Sequence, residues 1–331
     1  MSKKFSNYVF HFILLMSAAL LSACSTSNRL AVLDDNAVSV AGGFVRAAKT
    51  PGVNVKKVKK LVIPSFKVTH KLKVKGTATT VEKEGDKEIT TATKLKVNME
   101  NPDIELLQDI TNKAYDAVIE ELTKEGFEVV SLEEIAKSDA YYQVNHKNLV
   151  TSISNLDESV TLVPDGLKYY DSNDKIDPNG SFMLGIANIN SAVDGNLVAE
   201  FGGVDNGVAV LNIEVQVQFG NFDLDDHRVS PFILFNPSYT VLGNETRFEL
   251  TTGFKAVTMP GRTFYIPKES GSYVLTQDMG SKTTVLSDML VIGSEDGAEE
   301  YNTTVNPEYF GRAAVEQVAR VSELMAKAMM E

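Results

Sequence analysis

The sequence predicts an α+β fold, in which a mixed, largely antiparallel sheet carries packed helices, a long β-ribbon and a β-leaning insertion. The segment 211–219 alternates apolar and polar residues at every position, which is typical of a strand with one buried face. Apolar residues recur at three- and four-residue steps over 104–122 and again over 310–328, which indicates two amphipathic helices. Strand and helix patterns alternate in the first half of the chain, and this order favours helices packed on a sheet.

The first strand is predicted over 61–66, where apolar residues dominate. Alternation continues to 74, turns at 84–87 and returns over 88–97 with Thr and Lys in alternation. We therefore expect a polar β-ribbon over 67–98 that projects from the core.

The motif Asn101-Pro102-Asp103 is typical of a helix start. Asn101 is predicted to cap the helix, Pro102 suits its first turn, and the Asp103 carboxylate lies near the positive end of the helix dipole. Gly126 is predicted to end this helix, because glycine is common just after a helix.

Short elements are predicted to follow. We expect strands over 127–130 and 139–144, with a short helix over 132–136 between them. Ser131 and Glu134 have the spacing of a capping box at the start of that helix.

The second half of the chain divides into an insertion and a regular part. Pairs such as Asp194-Gly195 and Asn206-Gly207 break the segment 146–207 into short pieces, which predicts an irregular, β-leaning insertion. The segments 211–219 and 247–256 should then form long antiparallel strands. Asn306-Pro307 repeats the helix-start motif, and the final helix should bury one apolar face. That face comprises Phe310, Ala314, Val318, Val321, Met325 and Ala328.

The composition suits one large or two modest globular domains, with 331 residues of which 43% are hydrophobic. The formal charge of −12 becomes −14 without residues 1–23, because these contain Lys3 and Lys4 and no acid, which leaves 30 basic and 44 acidic residues. Such a charge argues against general nucleic-acid binding, which needs a basic surface.

The amino terminus has the pattern of a secretory signal peptide. Lys3 and Lys4 precede an apolar run over 9–21, and a helix of that length reaches only about 20 Å, too short to span a membrane. Cys24, directly after Leu21-Ser22-Ala23, is the only cysteine in the chain. An ordinary signal peptide with an incidental cysteine is the alternative interpretation.

Leu21-Ser22-Ala23-Cys24 resembles the lipobox of bacterial lipoproteins. The resemblance implies cleavage before Cys24, acylation of its thiol with palmitate and related chains, and, from Ser25, sorting to the periplasmic side of the outer membrane. We therefore expect a signal peptide over 1–23, a lipidated cysteine with a tether over 24–58, and a folded domain over 59–331.

The order of the predicted elements resembles that of the curli-secretion lipoprotein family, the amino-terminal domain of the translocation protein TolB, and lipoprotein activators of peptidoglycan synthases. The matching segments are 60–66, 101–125, 126–130 and 137–142, followed by two long strands and a closing helix. The insertion and the ribbon depart from the family pattern. The resemblance implies a non-enzymatic periplasmic module that assembles with its own copies or with an envelope complex.

Catalytic and metal-binding motifs are sparse in the sequence. His70, His146 and His227 lack the spacing of a metal site, so no cofactor and no enzymatic activity are expected. The segment 171–180 is dense in oxygen ligands and could hold Ca²⁺, although its spacing differs from an EF-hand and a solvated turn is the alternative. Its candidate ligands are Asp171, Asp174, Asp177 and Asn179.

A basic segment stands out in this acidic chain, because residues 36–81 contain ten Lys or Arg residues and no acid. Lys71, Lys73 and Lys75 are predicted to project from one face of the ribbon and to dock an envelope complex or an anionic envelope polymer. The alternative is that acids elsewhere in the fold balance these charges.

We therefore expect a lipid-anchored, non-catalytic envelope protein that acts in assembly or interaction and forms homo-oligomers or binds a partner. The alternative is a module whose insertion holds a glycan, peptidoglycan or a metal.

Overall fold

The computed structural model describes residues 41–49, 53–84, 86–142, 147–154, 157–169, 189–225, 232–259, 262–281, 291–292 and 298–331. Its helices are α1 (Ala41–Phe44), α2 (Ile104–Lys124), α3 (Leu132–Lys137), α4 (Asp139–Tyr142), α5 (Ile189–Glu200) and α6 (Pro307–Met330). Its strands are β1 (Val45–Lys49), β2 (Lys60–Val62), β3 (Phe66–Lys71), β4 (Lys73–Glu84), β5 (Lys87–Met99), β6 (Glu128–Val129), β7 (Ser159–Leu162), β8 (Val208–Asp225), β9 (Phe232–Val241), β10 (Arg247–Met259), β11 (Arg262–Leu275), β12 (Met279–Gly280), β13 (Val291–Ile292) and β14 (Ala298–Thr303). The predicted α+β class is confirmed.

Strand β8 organises the main sheet. On one side it pairs in parallel with β2 and then with β3, and on the other side antiparallel with β10 and then with β9. The sheet continues from β10 to β11 and β1, and from β2 to β6. Alternate residues of β8, from Leu211 to Phe219, are buried, as the alternation in the sequence predicts.

A second sheet packs beside the first. Strands β4 and β5 form an antiparallel hairpin, and β14 adds to β5 in parallel. The hairpin lies against β8 and β9. A Cβ atom on Gly76 would come within 2.7 Å of the Phe222 ring, so the glycine permits the close approach of the two sheets.

Helices cover both faces of the main sheet. Helices α2 and α6 pack against each other on the face that carries Phe66, and the rings of Phe66 and Tyr115 of α2 meet edge to face at 5.3 Å. Helix α5 lies on the opposite face. There Asp194 accepts a hydrogen bond from the Asn212 side chain, and Asn212 alternates with the buried Leu211 and Ile213 of β8.

The predicted helix starts are confirmed in two places and wrong in one. Ser131 and Glu134 form the capping box of α3, and the Asn306 side chain accepts from two backbone N–H groups at the start of α6. In α2 the cap is Asp103, whose carboxylate accepts from the backbone N–H groups of Glu105 and Leu106. Asn101 instead adopts a positive φ of 48°, which turns the chain into the helix.

The strand predicted over 139–144 is wrong over 139–142, where the structure has helix α4. Ser138 accepts a hydrogen bond from the backbone N–H of Tyr141, and Glu200 accepts from the Ser138 hydroxyl and the Ala140 N–H. At the other end, the Lys168 ammonium donates to the carbonyls of Tyr141 and Tyr142. Glu200 and Lys168, which are distant in the sequence, thus help to satisfy the backbone groups at the two ends of this helical turn.

The insertion 146–207 was predicted to be irregular and β-leaning, and this is partly wrong. Strand β7 lies in it, but so does the twelve-residue helix α5. The Asp194-Gly195 pair, predicted to be a break between short pieces, lies inside that helix. A Cβ atom at Gly195 would overlap the Cβ atom of Tyr265 in β11, so the glycine is a packing requirement and does not mark a turn.

Two further predicted boundaries, those of the tether and of the ribbon, differ from the structure. The predicted tether over 24–58 already contains β1, which pairs with β11, and a 3₁₀ turn at Val55–Lys57. The predicted ribbon over 67–98 divides at Leu72. Its first part is β3, inside the main sheet, and only β4 and β5 form the hairpin.

Candidate functional site: a cleft lined by the basic segment

Two of the three lysines predicted to dock a partner lie in ion pairs within the protein. The Lys71 ammonium lies 3.3 Å from a Glu245 carboxylate oxygen, and that of Lys75 lies 2.8 Å from Glu158. The hydrogen bond and charge of Lys75, with further contributions from Lys73 and Lys96, hold the pKa of Glu158 below its usual value. For Lys71 and Lys75 the structure therefore favours the alternative interpretation, in which acids elsewhere in the fold, here Glu245 and Glu158, balance these charges.

The candidate Ca²⁺ ligands Asp171, Asp174, Asp177 and Asn179 lie outside the described residues, as do His146 and His227. Among the described residues, no group of three or more His, Cys, Asp or Glu side chains is close enough to hold a metal ion. His70 is described and lies fully buried between β3 and α2.

Residues 1–40, including the predicted signal peptide and Cys24, are likewise outside the described part. In that part, no helix has the length and apolarity needed to cross a membrane.

A cleft of about 610 Å³ opens where β2 and β8 begin side by side. One wall is the segment 54–59, a second is the segment 204–208, and Thr252 of β10 and Glu269 of β11 complete the lining. Three of the ten basic residues of the basic segment, Lys56, Lys57 and Lys59, lie in the first wall.

The local sequence explains how the two walls come together. Val55 is buried, and the hydrogen bond from the Lys57 N–H to the Asn54 carbonyl closes a 3₁₀ turn that leaves Lys56 and Lys57 exposed. The Gly207 carbonyl accepts from the N–H groups of Lys59 and Lys60 at 2.9 and 3.2 Å. Gly207 has a φ of +79°, and a Cβ atom there would collide with the Lys57 carbonyl, so this close contact requires glycine.

The third part of the lining is an irregularity in the β10–β11 hairpin. Thr251 pairs with Ser270, but Gly253 pairs with Glu269, so Thr252 is an extra residue of β10. Bulges of this kind redirect side chains and often lie beside functional sites. Thr252 is buried, and no described residue forms a hydrogen bond with its hydroxyl oxygen.

Charges of both signs line the cleft without neutralising each other. Lys56, Lys57 and Lys59 form no ion pair with any residue of the described part of the chain. The carboxylates of Asp205 and Glu269, on the other parts of the lining, likewise have no ion-pair partner there. Three other lysines of the basic segment differ, because Lys60, Lys71 and Lys75 each contact a glutamate.

This arrangement suits binding of a charged ligand. Exposed, unpaired ammonium groups attract an anionic group, and the carboxylates of Asp205 and Glu269 attract a cationic one. The sequence pattern identified the basic segment. It predicted a docking role for Lys71, Lys73 and Lys75, whereas the lysines that line the cleft are Lys56, Lys57 and Lys59. It missed Asp205, Thr252 and Glu269 altogether. The sequence signal for this part of the site was Gly207, which lies directly before the strand that begins at 208. From the sequence, the Asn206-Gly207 pair predicts only a turn.

No protein-family model matches this chain, and no curated protein or solved structure shows significant similarity to it.

Proposed function

We propose that this chain is a lipoprotein held by Cys24 to the periplasmic side of the outer membrane. In this proposal its folded domain acts without catalysis in the assembly of, or interaction with, a cell-envelope or secretion complex, and Lys56, Lys57 and Lys59 form the contact surface.

The anchor rests on the Leu21–Cys24 motif after the apolar run. Helix α1 begins at Ala41, so sixteen residues, 25–40, separate the lipidated cysteine from the first described element. Because an extended chain rises about 3.4 Å per residue, these residues hold Ala41 within roughly 55 Å of the anchor. An acylated form therefore keeps the cleft close to the membrane.

The observation that carries the interaction role is the set of three lysines without an acidic partner in the described part of the chain. In a protein of net charge −12, acids are abundant, and they pair with Lys60, Lys71 and Lys75. Like charges on neighbouring residues repel one another, so Lys56 and Lys57 are stabilised by an external partner that presents an anionic group to them.

Metabolic labelling with an alkyne fatty acid in a two-membrane bacterium tests the anchor. The wild-type protein should carry the label and fractionate with the outer membrane, because the Cys24 thiol is the sole acylation site in this proposal. Cys24→Ser should lose both properties, and label retained on this variant would disprove acylation at Cys24.

In-cell crosslinking followed by size analysis tests the interaction. The wild-type protein should give a discrete crosslinked species, either a multimer or a complex. The triple variant Lys56→Gln, Lys57→Gln, Lys59→Gln should lose it. The matched control Lys83→Gln, an exposed lysine at the hairpin tip, should keep it. A species that persists in the triple variant would contradict a role for the cleft lysines.

The alternative, a ligand-binding module, is favoured by one observation. The end of the predicted insertion, Val204 to Gly207, forms a wall of the cleft. Under this alternative the purified protein stays monomeric and a soluble ligand raises its melting temperature. Light scattering and a thermal-shift assay distinguish the two functions.

A further inference from the structure

We propose that the cleft binds a phosphoethanolamine group, with its phosphate at Lys56, Lys57 and Lys59 and its ammonium at Asp205 and Glu269. The proposal deepens the contact role of the cleft and rests on it. Its soluble-ligand test is independent of acylation at Cys24.

The lysine wall supplies the phosphate site. Lys56, Lys57 and Lys59 lie within four residues of one another, and each ammonium is a compact charge that binds phosphate oxygens well. Thr252 lines the same cleft, and its buried hydroxyl has no hydrogen-bond partner among the described residues.

The two carboxylates select against a plain anion. Asp205 and Glu269 line the cleft and are not neutralised by its lysines, so they repel an approaching phosphate or polyanion. A ligand with its own cation reverses this effect, because its ammonium group interacts favourably with the carboxylates. A zwitterionic group therefore fits the charges on both parts of the lining.

The chemistry of the lining favours a primary ammonium over a quaternary one. A primary ammonium donates up to three hydrogen bonds, and the carboxylates of Asp205 and Glu269 accept them. Quaternary ammonium groups are usually held over aromatic rings. The residues that line the cleft in the described structure include no aromatic side chain.

The size of the cleft is compatible with a larger molecule that carries this group. Its volume of about 610 Å³ lies within the usual range for ligand sites. The phosphoethanolamine group is smaller than this, so space remains for the glycerol of a lipid or for a sugar. A lipid headgroup and a free or sugar-linked phosphoethanolamine therefore share the chemistry that the cleft recognises.

Phosphorus NMR titration of the full-length protein in phosphate-free detergent micelles tests the proposal. Phosphorylethanolamine should bind at least about fivefold more tightly than phosphorylcholine or inorganic phosphate. Equal binding of phosphorylethanolamine and inorganic phosphate would overturn the role of the carboxylates. Absence of binding by phosphorylethanolamine would overturn the proposal as a whole.

Variants test the lysine side and the carboxylate side of the site separately. The Lys56, Lys57, Lys59→Gln triple variant should bind phosphorylethanolamine at least about tenfold more weakly, since each exposed charge contributes about two- to fivefold. Asp205→Asn with Glu269→Gln should weaken phosphorylethanolamine binding while strengthening that of inorganic phosphate. Lys83→Gln should change neither. Unchanged affinities in the acid variant would contradict the zwitterionic site, provided that circular dichroism shows each variant folded.

Binding measured in nanodiscs distinguishes a lipid headgroup from a free or sugar-linked phosphoethanolamine group as the ligand. If the lipid headgroup occupies the cleft, phosphatidylethanolamine in the disc should compete with phosphorylethanolamine, whereas phosphatidylcholine should not. If the free or sugar-linked group is the ligand, the soluble probe should bind equally in both discs. Loss of the probe signal in phosphatidylcholine discs as well, after binding in micelles, would contradict the site.

Discussion

His70 is a buried histidine in the core of the protein. Its Nε2 atom lies 3.2 Å from the Thr111 hydroxyl, whose own hydrogen is donated to the Leu107 carbonyl at 2.8 Å. Nε2 therefore donates, the ring is neutral, and Nδ1 has no hydrogen-bond partner among the described residues. Burial disfavours the charged form and lowers the pKa of His70 from 6.5 to about 3.

This burial predicts a pH-dependent stability. Below pH 6.5 the unfolded chain binds a proton at His70 that the folded protein does not, so the free energy of unfolding falls by roughly 1 kcal/mol per pH unit between pH 6.5 and about 3. Urea unfolding at pH 7.5 and 5.5 measures this fall. His70→Gln, which keeps a donor toward Thr111, should show a smaller fall between the same pH values. An equal fall in both proteins would assign the effect to other groups.

We expect the same substitution, glycine to alanine, to have opposite effects on stability at two helical positions. Gly195→Ala should destabilise the fold, because its Cβ atom would overlap the Cβ atom of Tyr265. Gly311→Ala should stabilise it by about 1 kcal/mol, because that helical position has no atom within 4 Å of the added Cβ and alanine is the better helix former. Thermal denaturation of both variants checks the pair. A stabilised Gly195→Ala would show that α5 does not pack closely on β11.

At the scale of elements, helix α6 belongs to the core. Phe310, Ala314, Val318, Val321, Met325 and Ala328 are all buried, which confirms the face predicted from their spacing. The Phe310 ring packs on Tyr239 of β9, with 5.1 Å between ring centroids. The helix therefore joins the sheet to α2, on which it also packs.

Phe310→Ala is expected to lower the free energy of unfolding by about 3–5 kcal/mol, because it leaves a cavity between α6 and β9. Chemical denaturation measures the loss. Val315→Ala, on the same helix at a position that is 37% exposed, should cost much less. Equal effects of the two substitutions would indicate that α6 is not anchored through its buried face.

At the scale of the whole molecule, the tertiary structure divides the basic segment into two parts. Lys60, Lys71 and Lys75 are balanced by Glu128, Glu245 and Glu158, which come from separate regions of the chain. Lys56, Lys57 and Lys59 have no such balance within the described residues. The first three lysines are paired within the fold, and the second three remain accessible to a ligand.

Two triple variants test this division. Lys71, Lys73, Lys75→Gln should lower the melting temperature slightly, because it removes contacts to Glu245 and Glu158. Lys56, Lys57, Lys59→Gln should leave the melting temperature unchanged or raise it, because it relieves repulsion between like charges. Both effects should shrink in high salt. If the second triple variant melts lower than the first, the cleft lysines have a structural role.

Local signals in the sequence were sufficient for much of the fold. The period of apolar residues predicted α2, α6 and the buried face of β8, and the capping motifs predicted the starts of α3 and α6. Such signals succeed because they act between residues a few positions apart. The α+β class follows from them, since amphipathic helices and strands must bury their apolar faces against each other.

Where a distant segment supplied the deciding contact, local interpretation was wrong. Residues 139–142 form a helical turn whose ends Glu200 and Lys168 satisfy, and helix α5 has a glycine at 195 because Tyr265 comes close to it. Lys71 and Lys75 were predicted to dock a partner, but Glu245 and Glu158, from distant segments, form ion pairs with them.

The sequence by itself determined that residues 36–81 form a basic segment in an acidic chain and that Cys24 follows a lipobox-like motif. Only the tertiary structure decided which lysines are neutralised and which converge on a cleft with Asp205, Thr252 and Glu269. The physical reason is that a charge is balanced by whichever opposite charge lies within a few ångströms in space. Those neighbours lie 83 and 174 positions away for Lys75 and Lys71, beyond the reach of any local pattern.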